Sequence, residues 1–62
     1  MQISFGNVKE GQEFIHDGAK WRRTDMTLSD DGGSGRAWEL RGDLRYKEWS
    51  IGIHTLVWLL GD

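Results

Sequence analysis

The sequence predicts an all-β domain, a five-stranded antiparallel sheet that curls into an SH3-like barrel with little or no helix. Nine glycines are spread along the 62 residues, and no apolar stripe at i, i+3, i+4, i+7 runs uninterrupted between them, as an amphipathic helix would need. Asp17-Gly18 stands between "EFIH" and "AKWRRT", and such a pair suits a type I′ turn, in which both central residues take φ > 0. Beyond it, short segments with strand-like alternation are separated by turn residues.

The elements follow in chain order. The opening "MQISFGNVKEG" reads as a short first strand or a turn packing Phe5 and Val8. "EFIH" and "AKWRRT" form a hairpin about Asp17-Gly18. The loop "SDDGGSG", Ser29 to Gly35, ends the second of these strands, and "RAWELR" resumes the alternation with Trp38 and Leu40 on one face. A turn at Arg41-Gly42-Asp43 leads into "LRYKEWSI". "HTLVWLL" is apolar on both faces, which predicts a strand that is central in the sheet or covered by a partner. Five short strands fit a small barrel, whose closure removes exposed edges. The main alternative is an open sheet with one short helical turn near Val8 to Gly11.

At this length there is room for one domain, residues 1–62, which hides only roughly 60% of its unfolded surface and has a thin core. With no cysteine, disulfides cannot supplement that core; four Trp, two Phe and one Tyr supply burial instead, at about 150–250 Å² each. The net charge of −2 argues against a general polyanion binder, whose domain would be distinctly basic. Charge is unevenly placed, however: Lys20 to Lys47 holds seven cations against five carboxylates, net +2. No apolar run approaches the ~20 residues of a membrane span and no charged segment precedes a signal-like core, so a cytoplasmic protein without membrane contact is expected.

"VKEGQEFIHDGAKWRRT" and "HTLVWLL" carry a resemblance. A "V-K-x-G-x-x-F" lead, a glycine hairpin, an aromatic on the return strand and a terminal "T-x-V" strand resemble small one-domain proteins of bacteriophages and other mobile elements. The likeness covers Val8 to Thr24 and Thr55 to Leu60. It implies an accessory or host-interacting protein that binds rather than catalyses, and no site residue is carried over from it.

Signals for catalysis are sparse. There is no cysteine nucleophile and no His pair at i, i+4, and His16 and His54 stand alone. Asp25, Asp30 and Asp31 lack the alternating ligands and bidentate Glu of a calcium loop. "DGGSG" precedes a strand pattern rather than the Gly-Lys-Ser/Thr end of a phosphate loop, and Asp30 and Asp31 would repel the anion. Arg41-Gly42-Asp43 reads as hairpin chemistry rather than an integrin ligand. No enzyme activity, cofactor or metal is expected.

What remains is the interleaving of cations and aromatics. By alternation, Trp21 and Trp38 read as core, Leu44 and Tyr46 as inward, and Arg45, Lys47 and Trp49 as outward. Lys20, Arg22, Arg41, Arg45 and Lys47 are then expected on one solvent face with Trp49 beside them. Two functions fit. The first is a protein-binding module, an inhibitor or adaptor acting on a host protein through exposed Arg and Trp anchors. In it, His54 and Trp58 could pair the last strand with its own copy in a homodimer, if that strand is an edge. The second is a nucleic-acid-binding barrel in which five cations contact phosphates and Trp49 stacks on bases of single-stranded DNA or RNA, with a salt slope of about −3.5.

Overall fold

The computed structural model describes residues 1–61 and is all-β, with six antiparallel strands and a single 3₁₀ turn. The strands are β1 (Gln2–Ser4), β2 (Glu13–His16), β3 (Ala19–Arg22), β4 (Ser34–Arg41), β5 (Leu44–Gly52) and β6 (Leu56–Leu59). They form one sheet in the order β1-β6-β2-β3-β4-β5. The opening residues thus supply a sixth strand, and the 3₁₀ turn lies at Phe5–Asn7, ahead of the Val8 to Gly11 stretch in which a helical turn was the alternative expectation.

The sheet is not closed into a barrel. Because β6 inserts between β1 and β2, β1 becomes one edge and β5 the other, and the two do not pair. The Asp17-Gly18 turn forms as expected: both residues have positive φ, 53° and 75°, and β2 pairs with β3 from Glu13↔Arg22 to His16↔Ala19. A second two-residue turn, Gly42-Asp43 with φ 64° at Gly42, joins β4 to β5. The doubly apolar last strand is interior, also as expected.

One face of the sheet carries the core of Phe5, Val8, Phe14, Trp21, Ala37, Ile51 and Val57. Register explains the membership: Phe14↔Trp21, Trp21↔Glu39, Gly35↔Ile51 and Ile3↔Val57 are opposed pairs, so their side chains share a face. Trp21 is 5% exposed and its indole Nε1 donates to the His16 carbonyl at 2.9 Å. In β4 the inner positions are Gly35 and Ala37, the reverse of the expectation from "RAWELR". Trp38 is half-buried on the opposite face, and Leu40, though buried, lies outside the core cluster. Alternation groups residues by face without saying which face is inner; here Trp21 inside, opposed to Glu39, sets the odd positions of β4 inward. The small inner residues also make room: a Cβ on Gly35 would come 3.1 Å from the Phe5 ring and 3.0 Å from Arg23 Nη2.

Arg23 itself is 1% exposed. Its Nη1 donates to the carbonyls of Phe5 at 3.0 Å and Val8 at 2.9 Å, and the guanidinium lies 4.5 Å from the centre of the Phe5 ring. Burial lowers its pKa from the ordinary value, with Asp25 opposing the shift. The Phe5 carbonyl, which already closes the 3₁₀ turn by accepting from the Val8 N–H, and the Val8 carbonyl are thereby tied to a side chain 15 to 18 residues away. The glycine-rich loop satisfies itself in a similar way: Asp31 accepts from the Ser29 hydroxyl at 2.7 Å and the Gly33 N–H at 2.9 Å, which lowers its pKa.

Candidate binding surface

Strand β5 differs from the others. It is nine residues long, lies at an edge, and is exposed from Leu44 to Ser50 on both of its faces, joining the core only at Ile51. Leu44 (74% exposed) and Tyr46 (57%), expected inward, therefore face solvent: this half of the β4–β5 hairpin has no opposing layer to bury them. Trp49 is half-exposed, at 48%, but it opposes Ala37 and so lies on the core side of the sheet rather than on the outward face expected for it.

A bulge resets the faces of β5. Glu39 opposes Lys47 but Leu40 opposes Arg45, so Tyr46 is an extra residue in the ladder. Lys47 and Trp49 stay on the core side of the sheet, whereas Arg45 is carried to the other side, where its guanidinium lies 5.6 Å from the Trp38 ring centre. Without the bulge, all three would share a face as the alternation predicts.

On the core side, next to the edge, runs a groove of about 440 Å³. His16 and Trp21 line one side and Tyr46, Trp49 and Ile51 of β5 the other, with Glu39 of β4 between. The His16 and Trp21 rings meet edge to face at 5.8 Å. The groove's own cations cover its aromatics: Arg41 lies 4.0 Å over Tyr46 and Lys47 Nζ 4.3 Å over Trp49. Arg41 also holds Glu39 at 3.3 Å.

The five cations expected on one face are divided. Arg41 and Lys47 line the groove with Trp49, and Arg45 is on the opposite side. Lys20 and Arg22 also lie on that opposite side, both engaged by Glu13: Lys20 at 3.9 Å, Arg22 through Nε at 3.2 Å and through a second hydrogen bond. The hydrogen bond from Arg22 is the main reason Glu13 has a lowered pKa. His54 sits in the turn before β6, exposed, and Trp58 projects from β6 on the side away from the core, 55% exposed. As β6 is flanked by β1 and β2, the edge that strand pairing through His54 and Trp58 requires is absent.

His16, Trp21, Glu39 and Tyr46 belong to the groove and were not singled out from the sequence as binding residues. His16 and Trp21 were legible as neighbours across the Asp17-Gly18 turn; Tyr46 depends on a bulge that only the β4 partner reveals. No family model, curated protein or solved structure matches the chain, so this surface is read from its own geometry.

Proposed function

We propose that the chain is a small protein-binding module that takes an extended segment of a partner protein alongside β5. The carrying observation is a long edge strand exposed on both faces from Leu44 to Ser50. An edge presents unpaired backbone N–H and C=O groups, and a partner strand can add to it, with side chains on one face supplying selectivity. The core-facing side of that edge opens onto the aromatic groove, where Trp49, Tyr46 and Arg41 are the residue types that anchor protein interfaces. Such binding fits the accessory, host-directed role that the resemblance to phage and mobile-element proteins implies. It also needs no basic surface, in keeping with the net charge of −2.

The nucleic-acid reading has less support, because its five phosphate contacts would have to come from two sides of a sheet, with Lys20 and Arg22 already engaged by Glu13. Selection from random linear peptides, followed by NMR titration of the winners, tests the proposal. Shifts concentrated on Leu44 to Ser50, with new protection of β5 amides, are expected. Peptide shifts confined to Lys20, Arg22 and β6, or salt-dependent binding of single-stranded DNA in place of peptide, would reject it.

A further inference from the structure

We infer that the segment accepted along β5 carries a carboxylate and an aromatic side chain two residues apart, the carboxylate meeting Lys47 and the aromatic ring entering the groove against Trp49. This rests on the strand-addition reading. Lys47 and Trp49 lie two residues apart on one face of β5, so their spacing of roughly 7 Å matches that of alternate residues on any added strand. Among the described residues, Lys47 has no carboxylate within ion-pair distance; its cross-strand neighbour Glu39 turns to Arg41 instead. The ammonium rests on the Trp49 ring at 4.3 Å. A partner carboxylate would draw it off that ring and uncover the indole face for an aromatic side chain, which Trp21 and Tyr46 also border.

Other occupants fit less well. A basic strand would set like charges against Lys47, and a purely aliphatic one would cover the ammonium without pairing it. A second copy of the chain is disfavoured in the registers that centre on the exposed stretch. Antiparallel pairing about a twofold axis normal to the sheet opposes one residue to itself and its neighbours to each other. Centred on Tyr46, it sets Arg45 against Lys47 twice; centred on Lys47 or Glu48, it sets that charge against its own copy.

Selection of random linear peptides on the native chain, on Lys47→Gln and on Lys47→Glu provides the test. For the native chain, winners that map to β5 should be enriched in Asp or Glu two positions from Phe, Tyr or Trp. Lys47→Gln should lose the acidic preference, and Lys47→Glu should weaken a native winner about tenfold, as expected when one exposed attraction becomes a repulsion, while favouring Lys or Arg at that position. Winners that map to β5 but lack the acid and aromatic pair, or an acidic preference unchanged in both variants, would overturn the inference and leave strand addition standing. If no peptide maps to β5, strand addition fails and the inference with it.

Discussion

Trp21 and Trp49 present the same side chain in two environments. Trp21 is packed in the core with its N–H satisfied, so Trp21→Ala should cost about 3–5 kcal/mol, comparable with the whole stability of a domain near the low end of the usual ~5–15 kcal/mol. Trp49→Ala gives up a half-exposed ring and the cation resting on it, worth about 1 kcal/mol. Thermal melts should show the first variant largely unfolded and the second folded, with peptide binding weakened in the second while its fold is kept. Glu13 offers a pH test at the same scale. Because its carboxyl is more acidic in the folded than in the unfolded chain, its ion pair stabilises the fold above the ordinary value of 4.5 and ceases to do so as pH falls through the lowered one. Glu13→Gln should cost less than about 1 kcal/mol at neutral pH, as partly exposed pairs do, and urea melts should show that gap closing in acid.

Among the elements, β4 depends on what it lacks. Gly35 leaves room for Phe5 and the Arg23 guanidinium, so Gly35→Ala should force both to shift and cost about 1–3 kcal/mol, measurable by denaturant unfolding. This is also where sequence reading runs out. The β2–β3 hairpin was legible because Asp17-Gly18 encodes its own backbone geometry, and the interior place of β6 because Leu56 to Leu59 offers no polar face. The inner face of β4 was not, because the larger side chains, Trp38 and Leu40, are on the wrong side, and the core instead needs small residues beside Phe5 and Arg23. Nor was the division of the cations, since the displacement of Arg45 depends on a bulge defined by two strands together. Three residues of the candidate surface, Arg41, Lys47 and Trp49, could be named from the sequence as binding residues, whereas the wall of His16 and Trp21 opposite them was legible only as a hairpin pair.

For the whole molecule, the open sheet poses an association problem that β5 handles with charge. Arg45, Lys47 and Glu48 guard the edge, and sedimentation should find a 7.1 kDa monomer at high micromolar concentration. Lys47→Val removes the central guard from a strand already bearing Tyr46 and Trp49, and the same experiment should then show concentration-dependent association. Since residues 44–50 contribute little to the core, their chemistry can vary with modest effect on folding.

The Arg23 clamp has a different kind of consequence. A small domain held by a disulfide or a zinc ion inherits the chemistry of its surroundings, because reductants or chelators can take the staple away. Here the staple is a cation encoded in the chain, ligated by the carbonyl oxygens of Phe5 and Val8 much as a hard metal ion would be. It cannot be exchanged, oxidised or sequestered, so this cross-link between the first turn and the end of β3 is present wherever the chain folds, independent of the redox state or metal supply around it.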